Sequence, residues 1–182
     1  MKMNTANKLT LLRIILVPVF MALLMVDNLG CQIAALVIFV LAAATDGVDG
    51  YIARHYNQIT TFGKFVDPLA DKMLTTSAFL VLLYYGRMSP WAVMIVLARE
   101  FMVSGIRLIA AAEGEVIAAS FWGKLKTVSQ MAAVIAAIIL MHPVFPENAS
   151  MLITDILIWI SVVFTVLSGA DYLWKNRSLL KM

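Results

Sequence analysis

Long apolar stretches alternate with short polar breaks along the whole chain. Each stretch has roughly the 20 residues that a helix needs to cross the hydrocarbon core of a bilayer. The breaks carry glycine, proline, asparagine and charged residues, which interrupt helices and favour turns. The pattern predicts an all-α, polytopic integral membrane protein with six transmembrane helices, over Leu9–Val26, Cys31–Ile52, Asp67–Tyr85, Trp91–Ala112, Phe121–Met141 and Met151–Trp174.

The composition supports this interpretation. Of the 182 residues, 62% are hydrophobic and 14% are charged, which is outside the usual range of soluble domains. Six spans with short loops account for the chain, so we expect residues 1–182 to form a single transmembrane domain. The net charge of +3 comes without an exposed basic run, so no nucleic-acid partner is expected. One cysteine and two distant histidines give no indication of a disulfide, zinc or iron–sulfur site.

Lysine and arginine residues gather at alternate ends of the predicted helices. The positive-inside rule places these ends in the cytoplasm, so both termini are expected inside. The outer loops then contain only Arg87. The basic residues at or near the cytoplasmic ends are Lys2, Lys8, Arg13, Arg54, Lys64, Lys72, Lys124, Lys126, Lys175, Arg177 and Lys181.

Two further arginines, Arg99 and Arg107, lie within the fourth predicted span. A charge at membrane depth costs about 2.5 to 3.5 kcal/mol on insertion scales, so both are expected to face a polar cavity. There is an alternative for each residue. Arg107 could extend to the inner interface, and Arg99 could pair with a carboxylate such as Glu100.

Four aspartates mark the ends of the second and third predicted helices. Asp46 and Asp49 are three residues apart, and Asp67 and Asp71 are four apart, so each pair shares a face if its stretch is helical. Pro68 favours a helix start, with Asp67 as its N-cap, because proline suits the first helical turn. A short loop joins the two helices, so the four carboxylates are expected to converge near the inner membrane surface.

Four carboxylates this close together need compensating cations. Like charges in a low-dielectric setting repel strongly and raise one another's pKa unless a positive charge balances them. Two divalent cations match four negative charges, and oxygen ligands favour Mg²⁺ or Mn²⁺. The cluster therefore predicts a site for two such cations.

Glycines and an arginine surround the aspartates. Gly50 and Gly63 would let a nucleotide or a neighbouring backbone approach closely, and Gly47 is better explained by helix packing. Arg54 carries a guanidinium suited to a phosphate, although an arginine at a cytoplasmic helix end also sets topology.

The complete spacing resembles the signature of the CDP-alcohol phosphatidyltransferase family. The six-span layout is similar to that family over almost the whole chain, whereas the signature itself covers 26 residues. In this chain it comprises Asp46, two residues, Asp49-Gly50, two residues, Ala53-Arg54, eight residues, Gly63, three residues, Asp67, three residues and Asp71.

This resemblance implies a reaction and residue roles. Members of the family transfer a phosphatidyl or related group from a CDP-linked donor to an alcohol and release CMP, and they are commonly homodimers. By resemblance, the four aspartates would bind the metal ions, and Asp71 would also take the proton from the attacking hydroxyl. The expected CDP-binding residues are Gly50, Arg54 and Gly63.

The acceptor alcohol depends on residues outside the signature. Inner-facing Lys124 and Lys126 join Arg99 and Arg107 as candidates for a cationic pocket, which would suit a phosphorylated acceptor. Flanking of a helix end under the positive-inside rule explains the two lysines equally well. Three stretches outside the signature resemble those of known family members and indicate the acceptor. They are residues 7–13 together with Pro18, residues 98–101, and residues 123–127.

These stretches resemble bacterial family members that join CDP-diacylglycerol to glycerol 3-phosphate. The resemblance implies that Arg99, Arg107, Lys124 and Lys126 bind the acceptor phosphate. It also implies a multi-pass protein of the bacterial inner membrane, among membrane lipids, with its active site facing the cytoplasm. The alternatives are another acceptor (serine, inositol phosphate or phosphatidylglycerol), a small cation transporter, or a structural scaffold. Transporter sites usually lie near the bilayer midplane, whereas these aspartates lie at one membrane face.

Overall fold

A computed structural model of the chain is all-helical in the residues that it describes, which confirms the predicted class. It describes the backbone of residues 5–55, 61–114, 117 and 120–177, and all side chains there except those of 5–6, 46–55, 61–65, 67–68 and 71. The helices are α1 (Thr5–Leu24), α2 (Leu29–His55), α3 (Thr61–Tyr84), α4 (Pro90–Ala112), α5 (Phe121–Leu140) and α6 (Glu147–Lys175).

Serine residues cap the helices that carry the basic side chains. Ser89 precedes Pro90, and its side chain accepts a hydrogen bond from the N–H of Trp91 at 3.3 Å. Ser120 precedes α5 and accepts from the N–H of Gly123 at 3.1 Å. Each cap satisfies one backbone donor that the first helical turn leaves without a partner. The starts of α4 and α5 are therefore encoded locally.

The start of α3 differs from the sequence prediction. The helix begins at Thr61, so Asp67 is not its N-cap and Pro68 does not lie in its first turn; both predictions were wrong. The physical reason is that a proline inside a helix removes one backbone hydrogen bond without having to end the helix, as Pro18 inside α1 also shows.

Within the described residues, three helical segments are long and apolar enough to cross a membrane. They are Asn7–Leu24, Phe121–Leu140 and Glu147–Lys175. Shorter apolar stretches, Leu29–Thr45 and Lys72–Tyr84, lie in α2 and α3. That all six helices span a bilayer, with both termini inside, stays a prediction.

The helices divide into two compact units, Met1–Val81 and Leu82–Met182. In the first unit α1 packs along α2, and the rings of Phe20 and Phe39 lie 5.5 Å apart between their centroids. The short connection between α1 and α2 makes them antiparallel neighbours. The buried apolar residues along this contact are Val17, Phe20, Leu24, Ala35, Phe39 and Ala42.

In the second unit α6 packs against both α4 and α5. Gln130 of α5 donates to the hydroxyl of Thr165 of α6 at 2.9 Å, and both residues are buried. Hydroxyl side chains let these helices approach closely, and the side chains of Gln130 and Thr165 are hydrogen-bonded to each other. This arrangement brings Arg99 and Arg107 of α4 against the C-terminal half of α6.

Candidate functional site

The four aspartates all lie on helices. Asp46 and Asp49 occupy the last turns of α2, and Asp67 and Asp71 lie in the first three turns of α3. Helical geometry therefore places each pair on one face, as the spacing predicts. Their side chains lie outside the described residues, so convergence of the two faces stays a prediction.

The other signature residues lie on the same two helices. Gly50 and Arg54 belong to the end of α2, and Gly63 to the start of α3, one turn before Asp67. The surroundings of these three residues also lie outside the described part of the chain. Their predicted CDP-binding role is consistent with their positions along the backbone, which adjoin the aspartates on both helices.

The donor set of this region fits hard divalent cations. All four candidate ligands are carboxylates, whose oxygens suit Mg²⁺ and Mn²⁺ better than softer metals. Among the side chains that the structure describes, no group of three or more His, Cys, Asp or Glu residues could hold a metal ion. The four aspartates, whose side chains are not among these, remain the candidate metal ligands.

In the second unit, Glu100 joins two of the predicted acceptor-binding cations. Nη1 of Arg99 lies 3.1 Å from Oε1 of Glu100, and Nζ of Lys126 donates to the same oxygen. The three side chains are largely buried, with exposed fractions of 11%, 17% and 9% for Arg99, Glu100 and Lys126. The alternative in which Arg99 pairs with Glu100 is therefore the one that the structure shows. Lys126 of α5 binds the same carboxylate as a second cation.

The guanidinium of Arg99 also reaches α6 and the beginning of α5. Its Nη2 donates to the hydroxyl of Ser168 at 2.6 Å. Gly169 makes room for it, because a Cβ there would lie 3.2 Å from Cγ of Arg99. A Cβ at Gly123 would lie 3.9 Å from Nη2. Since Gly123 is in the first turn of α5, the positive end of that helix adds to the positive potential around Arg99.

Arg107 and Lys124 lie apart from this cluster. Nε of Arg107 donates to the hydroxyl of Tyr172 at 3.2 Å, and its guanidinium carbon lies 5.7 Å from the centre of that ring. It is eight residues beyond Arg99, which is about 12 Å along a helix. Lys124 is exposed, and residues two apart on a helix point to different sides, so it does not share the side of Lys126.

Sequence reasoning missed the partners of these cations. Ser168, Gly169 and Tyr172 lie in the last predicted span, where small and aromatic residues are ordinary packing residues. Glu100 was considered only as a possible partner of Arg99. A charged Arg-Glu pair in the middle of an apolar stretch is the one signal that marks this position.

The sequence also did not predict that Arg13 is buried. It was counted as a basic residue at an inner helix end and as part of the stretch 7–13, yet it is 1% exposed in the structure. A topology marker that extends to the interface stays partly solvated. The burial of Arg13 therefore indicates a role inside the fold.

Comparison with known proteins places these features in context. The model of the CDP-alcohol phosphatidyltransferase family matches residues 3–167. The CDP-diacylglycerol–glycerol-3-phosphate 3-phosphatidyltransferase of Bacillus subtilis is 41% identical over 98% of this chain and 97% of its own length. The protein of the same name from Rickettsia typhi is 37% identical over 93% of this chain and 94% of its own length.

A solved structure supports the fold. The phosphatidylinositol phosphate synthase of Mycobacterium tuberculosis, in its apo form, superposes with a TM-score of 0.62. The likeness covers 91% of this chain and 88% of that one, at 19% sequence identity. At this identity the likeness bears on the fold alone.

Proposed function

Because the chain belongs to the CDP-alcohol phosphatidyltransferase family, we propose that it transfers the phosphatidyl group of CDP-diacylglycerol to glycerol 3-phosphate. The products are phosphatidylglycerophosphate and CMP, and the reaction leads toward phosphatidylglycerol in phospholipid biosynthesis. The observation that carries this proposal is the 41% identity over 98% of the chain with a protein named for this reaction. The uninterrupted aspartate spacing on α2 and α3 supports it.

Two divalent cations, Mg²⁺ or Mn²⁺, would be held by Asp46, Asp49, Asp67 and Asp71. When bound, such cations neutralise charge on a diphosphate and on the leaving CMP. The all-carboxylate donor set supports this assignment. The paired helical positions support it as well, because each helix presents two carboxylates on consecutive turns.

Asp71 is our candidate for the general base. An alcohol hydroxyl is a weak nucleophile at neutral pH, and a carboxylate within hydrogen-bonding reach can accept its proton as the oxygen attacks phosphorus. The new phosphorus–oxygen bond forms as the bond to CMP breaks, so no covalent enzyme intermediate is required. Gly50, Arg54 and Gly63 would bind the CDP moiety beside this centre.

The acceptor phosphate would be bound by the basic residues of the second unit. Arg99 and Lys126 form the centre of this site, because they come from different helices and share a carboxylate partner. Arg107 and Lys124 lie apart from this centre, so we do not assign them to it. An arginine and a lysine held this way offer several N–H donors to one phosphate group.

We place the protein in the bacterial inner membrane as a single domain with six spans, both termini inside and the active site facing the cytoplasm. The distribution of lysine and arginine supports this orientation. The family match, residues 3–167, runs through both compact units, which supports a single functional domain. We further propose a homodimer, as is common in the family.

The acceptor can be tested directly with purified protein. CDP-diacylglycerol and Mg²⁺ are supplied with glycerol 3-phosphate, serine, inositol phosphate or phosphatidylglycerol, and CMP release is measured. We expect glycerol 3-phosphate to give the highest kcat/KM. A preference for another alcohol would refute the proposed acceptor, and the absence of CMP with every alcohol would refute the enzyme function in favour of transport or a structural role.

Arg99→Gln is expected to raise the KM for glycerol 3-phosphate about 10- to 100-fold. The change removes charge-assisted hydrogen bonds, which are worth about 1.5 to 3 kcal/mol. Glu100 keeps Lys126 as its partner, so the carboxylate is not left alone and the variant should fold. The KM for CDP-diacylglycerol should stay within about twofold of the wild-type value.

Arg177→Gln is the matched control for this experiment. Arg177 is exposed at the end of α6, where its guanidinium carbon lies 4.8 Å from the ring centre of Trp174. Its loss should leave both KM values unchanged. Equal KM values for glycerol 3-phosphate in wild type and Arg99→Gln would remove Arg99 from the acceptor site.

A further inference from the structure

The side chain of Arg99 is held from several sides. Its Nη1 donates to Glu100 at 3.1 Å, and its Nη2 donates to the hydroxyl of Ser168 in α6 at 2.6 Å. Its aliphatic part lies over Gly169, where a Cβ would be 3.2 Å from Cγ of Arg99. The contacts with Ser168 and Gly169 both come from α6, so this helix fixes the arginine at its stem and at its tip.

Ser168 differs from the two buried hydroxyl residues that precede it in α6. Ser161 donates to the carbonyl of Ile158 at 2.7 Å, and Thr165 donates to the carbonyl of Ser161 at 2.8 Å. Such bonds to the preceding turn are common for serine and threonine within a helix. Ser168 is 0% exposed, and within the described residues its hydroxyl bonds to Arg99 alone. The hydroxyl of Ser168 therefore acts on the arginine and not on its own helix.

Gly169 is required at its position for steric reasons. Besides Cγ of Arg99, a Cβ at Gly169 would lie 3.3 Å from Cε of Met102. Both distances are shorter than ordinary van der Waals contact, so a larger residue would displace a side chain of α4. Gly105 of α4 is the opposite case, because a Cβ there would have no described neighbour within 4 Å outside its own stretch of helix.

A guanidinium that is fixed in advance binds an anion at lower cost. An arginine side chain has several rotatable bonds, and ordering them on ligand binding costs conformational entropy. Contacts that hold the side chain before the ligand arrives remove this cost. A guanidinium has five N–H donors, and the bonds to Glu100 and Ser168 use two of them. Donors therefore remain on Arg99 for the oxygens of a phosphate group.

We propose that Ser168 and Gly169 of α6 are positioning residues of the acceptor site, which hold the guanidinium of Arg99 in the orientation that binds the acceptor phosphate. This inference rests on the proposed function, since it assumes a phosphorylated acceptor bound by Arg99. Neither residue has to touch the substrate, because each acts through the arginine. The inference makes α6 the third helix of the acceptor site, beside α4 and α5.

The test compares two pairs of matched variants. Ser168→Ala removes the hydroxyl that holds Nη2 of Arg99, and Ser161→Ala makes the same change at a buried hydroxyl that donates to the backbone of its own helix. Gly169→Ala places a Cβ against Arg99, and Gly105→Ala places one in open space. CMP release by purified protein with CDP-diacylglycerol, glycerol 3-phosphate and Mg²⁺ gives kcat and the KM of each substrate.

Ser168→Ala and Gly169→Ala are expected to raise the KM for glycerol 3-phosphate about 5- to 20-fold. The KM for CDP-diacylglycerol should stay within about twofold of wild type and kcat within about threefold, because loss of uniform binding of the acceptor phosphate changes KM alone. Ser161→Ala and Gly105→Ala should match wild type in all three constants. A purely structural role of Ser168 would instead lower the amount of active enzyme, and so the apparent kcat, without changing the KM.

A double variant tests whether Ser168 acts through Arg99. The guanidinium is absent in Arg99→Gln, so adding Ser168→Ala should leave the KM for glycerol 3-phosphate at the Arg99→Gln value. Two residues that act independently would instead show multiplied effects.

An unchanged KM for glycerol 3-phosphate in Ser168→Ala, or multiplied effects in the double variant, would overturn the inference alone. A wild-type protein that releases no CMP with glycerol 3-phosphate would refute the proposed function and this inference together. The wild-type measurement thus distinguishes failure of the proposed function from failure of the positioning role.

Discussion

Asp71→Asn is expected to lower the kcat for CMP release by about 100- to 10,000-fold, the contribution typical of a general base. An amide has nearly the shape of a carboxylate but cannot accept the hydroxyl proton at neutral pH. Asp71 lies in the third turn of α3, where asparagine is tolerated by the helix, so the variant should still fold. The measurement is CMP release by purified protein with CDP-diacylglycerol, glycerol 3-phosphate and Mg²⁺.

Asp155→Asn makes the same chemical change at a position outside the proposed active site, so it is the control for Asp71→Asn. Asp155 is an exposed residue in the second unit, beside an open cavity lined by the connection between α3 and α4. This variant should turn over at the wild-type rate. Asp71→Asn can act by removing the base or by weakening the metal site. The Kd for CDP-diacylglycerol distinguishes these two effects, because loss of the base alone leaves the Kd within a few-fold of wild type. Near-normal turnover of Asp71→Asn would remove Asp71 from the role of base.

Removal of divalent cations is expected to stop the reaction altogether. Without them, four carboxylates on α2 and α3 and the diphosphate of the donor repel one another in a setting of low dielectric constant. Excess EDTA should reduce CMP release to background, and added Mg²⁺ or Mn²⁺ should restore it. Asp67→Ala removes one ligand, so the Mg²⁺ concentration for half-maximal activity should rise at least about tenfold.

Asp171→Ala is the matched control for Asp67→Ala. Asp171 pairs with Lys175 one turn away at 2.7 Å, and Lys175 is 62% exposed. An exposed pair of this kind contributes only about 0.3 to 0.5 kcal/mol, so the variant should keep the wild-type Mg²⁺ dependence. Full turnover in excess EDTA would refute the metal assignment. An unchanged Mg²⁺ requirement in Asp67→Ala would exclude that residue as a ligand.

Local pattern accounts for much of the fold. The apolar stretches predicted helices over α1, α2, α4, α5 and α6 to within a few residues, because helix formation in apolar surroundings depends mainly on length and hydrophobicity. The start of α3 was missed by six residues. The rule that proline opens a helix is a preference for the first helical turn, whereas here the backbone continues as a helix upstream of Pro68.

The sequence predicted only part of the proposed acceptor site. Arg99 and Lys126 were named as members of one pocket, and the structure brings them together on Glu100. Arg107 was named with them, but it contacts Tyr172 about two turns away along α4. A charge in an apolar stretch indicates that it needs a partner, but it does not indicate which neighbouring helix supplies one.

The sequence by itself determined the helical class, the pairing of four aspartates on two helix faces, and the family. These features depend on spacing along one chain segment, which the helix repeat converts directly into geometry. Only the tertiary structure decided that Glu100 joins cations from α4 and α5, and that Arg13 is buried. Such contacts depend on which faces of separate helices pack together and at what register. Packing between helices distant in sequence sets both, and no local spacing encodes them.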